Sequence, residues 1–327
     1  MGSKNGPEKK LVKSWGWNYK WVPVGKLRRY WDIQNLFDAV KVPLGILKSI
    51  KIIRKFKPDV LFSKGGFVSV PVTIGAWMLR VPIVIHDSDS IPGLTTRLLA
   101  RFSTKVCLGY KEASTRLKRH HKKLVVTGIP LRTEMFKGTK KNALEFTGLK
   151  KGKPIVLVMG GSLGAWQINK ALERSLEQLL EHCQIIHLSG KGKALLASKA
   201  KQYEHHYKAY EYVHNELADL YKVADLIVSR AGANSLAEIQ GLRKPSILIP
   251  LGLQASHGDQ VKNAEVLKKK GACIVLPNET VTPKKLTKAI LTLLKDEKKR
   301  KKMGDKAYNK LNPKAGEKIA ELLLKVI

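Results

Sequence analysis

Residues 224–264, ADLIVSRAGANSLAEIQGLRKPSILIPLGLQASHGDQVKNA, decide the expected fold. The apolar run Leu226–Val228 is short and rich in branched side chains, as in the buried strands of parallel sheets. A turn of small residues follows, and then a helix-compatible stretch over 234–240. A second apolar run, Pro245–Pro250, precedes a polar loop over 251–260. This alternation predicts a strand, turn, helix and strand of an open α/β sheet.

The turn and the helix after the first predicted strand suit a nucleotide ligand. In an open α/β sheet, ligands lie beyond the carboxyl ends of the strands, where helix N-termini present free N–H groups. Gly232 lets the backbone approach a phosphate closely, and Ser235 can donate its hydroxyl to that phosphate. Glu238, one helical turn later, can accept hydrogen bonds from both hydroxyls of a ribose. The spacing fits a solvated Glu238 that binds nothing equally well.

The charge balance of the chain is strongly basic. The 327 residues suffice for two domains, and 61 Lys and Arg against 26 Asp and Glu give a formal charge of +35. Such a charge attracts anionic membranes, nucleic acids and diphosphate substrates without choosing among them. The basic runs at 117–123 and 298–302 lack interleaved aromatic residues, which favours solvated faces over a nucleic-acid groove. We therefore expect no nucleic-acid partner.

The cysteines indicate a reducing compartment, and the hydropathy pattern predicts no membrane-spanning helix. Cys107, Cys183 and Cys273 are far apart and lack the spacing of metal ligands, so buried thiols are expected. The sequence shows no signal peptide, and no window reaches the ~18 consecutive apolar residues that a membrane-spanning helix needs. The expected location is the cytosol or the surface of a membrane.

A second strand and glycine turn lie near the middle of the chain. The segment 154–164, PIVLVMGGSLG, predicts a buried strand and a turn, and a helix is expected over 166–180. GGSLG lacks the G-x-G-x-x-G spacing of a dinucleotide site, so a nicotinamide is disfavoured and we expect no cofactor. Gly160, Gly161 and Ser162 can instead bind a diphosphate through backbone N–H groups and one hydroxyl.

Strands and helices alternate in both halves of the chain. The fold class is therefore α/β, with two doubly wound, Rossmann-like domains facing a cleft. The predicted boundaries are a first domain over 1–136, a polar, lysine-rich linker over 137–153, a second domain over 154–311 and a C-terminal helix over 312–327 that crosses back to the first domain.

Eight short motifs, in one order, resemble those of the MurG-type glycosyltransferases. They are GSKNG, KGGFVSVP, HDSD, GIPLR, GGSLGA, SGKG, SRAGANSLAEI and HGDQxxNA. The resemblance implies the two-domain GT-B architecture and peripheral binding to the cytoplasmic face of the bacterial membrane. It also implies the reaction: inverting transfer of N-acetylglucosamine from UDP-N-acetylglucosamine to a lipid-diphosphate acceptor, the undecaprenyl-diphosphate-linked muramoyl-pentapeptide, in peptidoglycan synthesis.

The same resemblance assigns residues to the UDP-N-acetylglucosamine site. Gly160, Gly161 and Gly164 form its diphosphate loop. The other donor-site residues are Asp89, Arg132, Ser162, Val213, Ser235, Glu238, Asp259, Gln260 and Asn263. Asp87 and Asp89 also match a D-x-D metal-binding pattern, but no third ligand is spaced nearby, so no metal is expected.

The acceptor side departs from the family pattern. The family's GGTxGH unit, which precedes GSKNG, has no counterpart here, so we expect an N-terminally shortened first domain without the family histidine. His86 and His257 lie in loops of the expected site, yet the sequence places neither beside an acceptor hydroxyl. His187 is expected to be a core residue. The catalytic base is therefore unknown, and two alternatives stay open: a non-catalytic homologue that binds only UDP-sugar, and a UDP-N-acetylglucosamine 2-epimerase.

A segment of the first domain combines basic and apolar residues. Arg28, Arg29 and Lys41 adjoin Trp31 and Phe37, a mixture that suits an anionic bilayer surface. Periodicity alone fits a core-facing helix as well. The resemblance favours the membrane surface, because the family binds membranes through this region.

Overall fold

The computed structural model describes residues 1–25, 33–161, 164–192, 202–252 and 258–327, without the side chains of residues 7 and 33–40. The helices of these residues are α1 (Pro7–Ser14), α2 (Ile33–Phe56), α3 (Ser69–Met78), α4 (Leu94–Leu99), α5 (Lys140–Thr147), α6 (Trp166–Leu180), α7 (Leu217–Val223), α8 (Ala233–Gly241), α9 (Asp259–Lys269), α10 (Pro283–Leu294), α11 (Glu297–Ala307) and α12 (Ala315–Leu324). The strands are β1 (Leu61–Ser63), β2 (Ile83–Asp87), β3 (Lys105–Leu108), β4 (Leu124–Val126), β5 (Ile155–Met159), β6 (Gln184–Leu188), β7 (Tyr207–Tyr210), β8 (Leu226–Ser229), β9 (Ser246–Leu248) and β10 (Ile274–Val275).

The chain divides into two units that are not each continuous in sequence. The first unit contains Met1–Gly128 together with Gly316–Ile327, and the second contains Ile129–Ala315. The second unit therefore lies, in sequence, between two parts of the first.

The first unit is built on a parallel sheet with the strand order β1-β2-β3-β4 in the described residues. All five residues of β2 are buried, as expected for a strand covered on both faces. One face packs with Leu99 and Ala76 from α4 and α3. On the other face, Ile319 of α12 packs against Val84 and Cys107. The sheet thus has helices on both faces.

The second unit contains a parallel sheet with the order β10-β9-β8-β5-β6-β7 in the described residues. Its central strand, β5, is buried throughout. Along α6, Ile168, Leu172, Leu176 and Leu179 recur at helical spacing and are at most 1% exposed, because this apolar stripe faces the core. Since β5, β8 and β9 are parallel neighbours, their carboxyl ends meet at one edge of the sheet.

The segment 137–153 is not an extended linker in the structure. It belongs to the second unit and contains α5, which packs on α7. Thr139 caps the start of α5 by accepting a hydrogen bond from the Asn142 backbone, and Gly148 ends it in a left-handed conformation (φ 66°). The lysine-rich composition of this segment therefore reflects an exposed helix face.

Candidate functional site

The glycine loop after β5 forms the first part of the candidate donor site. Gly161 and Gly164 adopt left-handed conformations (φ 79° and 67°), which favour glycine. A Cβ atom at Gly160 would overlap the backbone nitrogen of Ala165, so a side chain does not fit there. The backbone N–H of Gly164 donates to the Gly161 carbonyl at 2.9 Å. Ser162, predicted to complete this loop, lies outside the described residues.

The turn after β8 leads into α8, whose N-terminus lies at the same edge of the sheet. Gly232 is the N-cap residue in an extended conformation, so the first N–H groups of α8 receive no side-chain cap from it. Ser235 is half-buried in the first helical turn. These N–H groups and the helix dipole favour an anion at this position.

Glu238 is held by a buried tyrosine. The Tyr221 hydroxyl donates to Glu238 Oε2 at 2.9 Å, and Tyr221 itself is fully buried. Burial raises the pKa of Glu238, whereas the Tyr221 hydrogen bond and the positive charge of Arg132 partly oppose that rise. Glu238 is half-buried and oriented, so the interpretation as a freely solvated carboxylate is wrong.

Arg132 belongs to the second unit, although the predicted boundary placed it in the first domain. It is exposed and immediately precedes a 3₁₀ turn at Thr133–Phe136. Its guanidinium contacts the sulfur of Met135 at 3.7 Å and affects the pKa of Glu238 electrostatically. The guanidinium therefore adds positive charge on the Glu238 side of the site.

The start of α9 contributes three further predicted residues. Gly258 precedes α9 in a left-handed conformation (φ 84°), and Asp259 is half-buried in the first turn. Gln260 Oε1 accepts a hydrogen bond from the Leu251 backbone at 2.9 Å, which joins the start of α9 to the beginning of the loop after β9. Asn263 is fully buried and contacts the Ala231 carbonyl at 3.4 Å. Gln260 and Asn263 thus also support the donor-site loops.

Arg230 is a functional candidate that the sequence reasoning missed. It follows β8, and the residue is only 6% exposed. The guanidinium donates to the Ile249 carbonyl at 3.0 Å, to Asn278 Oδ1 at 2.6 Å and to Gln167 Oε1 at 3.0 Å. These bonds join the end of β9, the first turn of α6 and the segment after β10. The sequence offered one signal for Arg230, a basic residue in the otherwise small-residue turn SRAGA after the predicted strand.

Two further predicted residues belong to different units of the structure. Val213, in the second unit, is buried and lies in the segment that connects β7 to α7. Asp89 is in the first unit, where its backbone N–H donates to Asp87 Oδ1 at 3.0 Å. Because Asp87 Oδ2 also accepts from the Gly93 backbone at 3.0 Å, the Asp87 carboxylate folds the loop before α4. Across the part of the chain that the structure describes, no group of three His, Cys, Asp or Glu side chains is arranged to hold a metal ion.

His86 is buried and fully engaged in hydrogen bonds. Its Nε2 lies 2.9 Å from the Gly128 carbonyl, which can only accept, so Nε2 carries the proton. Nδ1 then accepts from the Lys64 ammonium at 2.9 Å. Burial and the Lys64 charge lower the pKa of His86 to about 4, so the ring is neutral near pH 7. Neither ring nitrogen is left to accept a substrate proton in this arrangement.

Two other histidines, His187 and His257, were considered in the sequence analysis. His187 is 1% exposed and bonded to the Tyr207 hydroxyl (2.8 Å) and Asn169 Oδ1 (3.1 Å), which confirms that it is a core residue. His257 lies outside the described residues. The structure therefore does not assign a catalytic base.

The predicted membrane patch falls largely outside what the structure describes. Arg28, Arg29, Trp31 and the side chain of Phe37 are outside the described residues. Lys41 is exposed on α2. None of the described helices is both long and apolar enough to cross a membrane.

Comparison with known proteins identifies the family. Residues 155–322 match the glycosyltransferase family 28 C-terminal domain, and residues 1–108 match the N-terminal domain of the same family. A relative from Clostridium botulinum (strain Alaska E43 / Type E3) is 44% identical over 330 residues, which cover 100% of this chain and 89% of the relative. It is named UDP-N-acetylglucosamine--N-acetylmuramyl-(pentapeptide) pyrophosphoryl-undecaprenol N-acetylglucosamine transferase. The chain belongs to the MurG-type glycosyltransferases of family 28.

Solved structures agree with this assignment at the level of the fold. The crystal structure of Acinetobacter baumannii MurG is similar with a TM-score of 0.77 at 23% identity, covering 99% of this chain and 89% of that chain. UDP-GlcNAc 2-epimerase from Neisseria meningitidis, bound to UDP-GlcNAc, is similar with a TM-score of 0.66 at 12% identity. The match covers 97% of this chain and 88% of the epimerase chain. The predicted α/β fold of two Rossmann-like GT-B domains is thereby confirmed, and the MurG-type protein is a glycosyltransferase.

Proposed function

We propose that this MurG-type protein transfers N-acetylglucosamine from UDP-N-acetylglucosamine to the lipid-linked muramoyl-pentapeptide acceptor. The observation that carries the proposal is Glu238, held by Tyr221 one helical turn after the N-terminus of α8. A carboxylate fixed at that distance from a phosphate-binding helix start can accept the ribose hydroxyls of a UDP-sugar. The names of relatives at 43–44% identity support the same reaction.

The donor site supplies the charge that a leaving UDP requires. The backbone N–H groups of Gly160 and Gly161, the N-terminus of α8 and the Arg132 guanidinium provide positive potential for the diphosphate. Asp259 and Gln260 contact the sugar hydroxyls. The acceptor hydroxyl attacks the anomeric carbon, and the new C–O bond forms with inversion while the proton of that hydroxyl is released to the solvent. The bond to UDP breaks with its electron pair leaving on the diphosphate.

The first unit provides a surface for the membrane that carries the acceptor. On α2, Leu44 and Leu47 are 52% and 65% exposed. Nearby, the ring of Trp21 lies under the Lys48 ammonium at 2.9 Å and within 5.5 Å of the Lys4 ammonium. Apolar side chains beside cations suit an anionic bilayer, where each cation contributes ~1 kcal/mol. Leu44→Ser with Leu47→Ser is expected to weaken sedimentation with phosphatidylglycerol vesicles, and unchanged sedimentation would contradict this surface.

One product analysis distinguishes the proposed reaction from its alternatives. Purified protein is incubated with UDP-N-acetylglucosamine, with and without the lipid-diphosphate acceptor, and the nucleotide and sugar products are separated. The proposal expects UDP release only with acceptor, together with a glycosylated lipid. A 2-epimerase would instead give UDP-N-acetylmannosamine without acceptor. A binding-only homologue would bind UDP and release nothing, and either result would refute the proposed transfer.

A further inference from the structure

The second unit has a cationic cavity at the edge of its sheet opposite the donor site. Asp225 immediately precedes β8 and Lys244 lies just before β9, so both are at the amino ends of their strands. The donor-site loops follow the carboxyl ends of the same parallel strands. A ligand in this cavity would therefore not occupy the UDP site.

The cavity has a volume of about 390 Å³, within the range of small-ligand sites. Its wall contains three lysines, Lys140, Lys222 and Lys244, together with Asp225 and the apolar side chain of Phe136. All of these residues belong to the second unit. Three ammonium groups around one carboxylate leave a net positive cavity.

Lys244 is the inner cation of this cavity. Its ammonium donates to the Ala224 carbonyl at 2.8 Å and to the Lys222 carbonyl at 3.2 Å. An ammonium has three N–H donors, and the third has no acceptor among the described residues. Burial lowers the pKa of Lys244 to about 8, Asp225 opposes that shift, and the charges of Lys140 and Lys222 add to it. Lys244 therefore remains largely charged at pH 7 while two further cations lie close to it.

The one carboxylate of the cavity offsets only part of the positive charge of its three lysines. Lys140 and Lys222 are exposed, and neither side chain forms an ion pair within the described residues. Asp225 lines the cavity and opposes one of the three ammonium charges, while its Oδ2 accepts from the Ile155 backbone at 2.8 Å. Asp219, whose Oδ1 accepts from the Thr139 backbone at 2.6 Å, does not line the cavity. An external anion is the natural counter-charge.

The exposed lysines of α11 provide a contrast. Lys298, Lys301, Lys302 and Lys306 lie along one helix with Asp305 among them, on an open surface. They share the charge of the cavity lysines but include no half-buried ammonium bonded to backbone carbonyls. Charge alone therefore does not define the cavity site.

We propose that the cavity formed by Lys140, Lys222 and Lys244 binds a small phosphate-bearing anion of the pyrophosphate class. Lysine ammonium groups bind phosphate oxygens as point charges, and a multiply charged anion offsets several cations at once. This binding is separate from donor binding and goes beyond the proposed transfer reaction.

The test is calorimetric titration of pyrophosphate in metal-free buffer with the donor site saturated by UDP. The wild-type protein is compared with Lys140→Gln/Lys222→Gln, two exposed changes that leave the carbonyl-bonded Lys244 in place. The matched control is Lys298→Gln/Lys301→Gln, which removes the same charge from α11. Each cation near the anion contributes ~1 kcal/mol in water, so the cavity double variant is expected to bind at least about 10-fold more weakly.

The outcomes separate a specific site from general attraction by a basic protein. Saturable binding in wild type that is lost in the cavity variant and kept in the control supports the proposal. Absence of saturable binding in the wild-type protein overturns it, as does equal weakening in both double variants. Pyrophosphate binding that disappears when UDP is added would place the anion in the donor site, and also overturns it.

Discussion

Glu238→Gln tests whether the carboxylate held by Tyr221 contacts the ribose. Oε2 of Glu238 already accepts from the Tyr221 hydroxyl at 2.9 Å, so the amide oxygen of the variant is expected to take that position. An NH₂ group would then face the ribose, and the negative charge would be lost. Hydrogen bonds to a charged group contribute ~1.5–3 kcal/mol, which corresponds to roughly 10-fold to 100-fold weaker UDP binding.

The assay compares the dissociation constants of UDP and 2′-deoxy-UDP for each variant. If Glu238 binds the 2′-hydroxyl, the wild-type protein prefers UDP by about 10-fold or more, and Glu238→Gln loses most of that preference. Tyr221→Phe keeps the carboxylate but removes its support, and it is expected to lose only part of the preference. Glu265→Gln, which removes a half-exposed acid paired with Lys262, is the charge-matched control. An unchanged preference in Glu238→Gln would refute the ribose contact.

Three further predictions concern the residues around the donor site and in the core. Arg230→Met removes the donor to three oxygen acceptors, of which the Ile249 carbonyl is buried, so we expect a lower melting temperature and at least about 10-fold weaker UDP binding. Thermal unfolding and calorimetry measure the two effects, and unchanged values for both would contradict the role of Arg230 as a link between loops. Gly160→Ala forces the loop away from Ala165, whereas the added methyl group of Gly161→Ala meets open space and costs only the ~1–2 kcal/mol of a left-handed alanine. Gly160→Ala should therefore weaken UDP binding more than Gly161→Ala does. A larger loss of UDP binding in Gly161→Ala would contradict the described loop geometry. Burial lowers the pKa of His187 from 6.5 to about 4, so the unfolded chain binds the proton more readily than the folded chain. The free energy of unfolding is therefore expected to fall by up to about 3 kcal/mol as the pH drops from 6.5 to 4. This pH dependence should flatten in His187→Gln, and an equal dependence in both proteins would contradict the burial of a neutral His187.

Elements set by local pattern could be predicted from the sequence. The predicted helix over 166–180 and the strand at Leu226–Val228 are confirmed, because an apolar stripe and a short branched run each have one favourable way to be buried. The turn and the start of α8 follow from Gly232 and its small neighbours.

Features set by distant contacts could not be predicted. Arg230 gains its three partners only when β9, α6 and the segment after β10 come together, and no spacing in the sequence encodes that meeting. The support of Glu238 by Tyr221, 17 residues earlier, has the same origin. The lysine-rich composition of 137–153 also concealed α5, because exposed helix faces and linkers share that composition.

The position of α12 has a consequence for synthesis on the ribosome. Ile319 covers the sheet face that contains Val84 and Cys107, yet it is made after the whole second unit, Ile129–Ala315. At ~5–20 residues per second, that face waits roughly 10 to 40 s for its cover. During this interval the nascent first unit exposes apolar surface to chaperones and to neighbouring chains. A premature stop codon after the second unit would therefore harm the domain that was translated first.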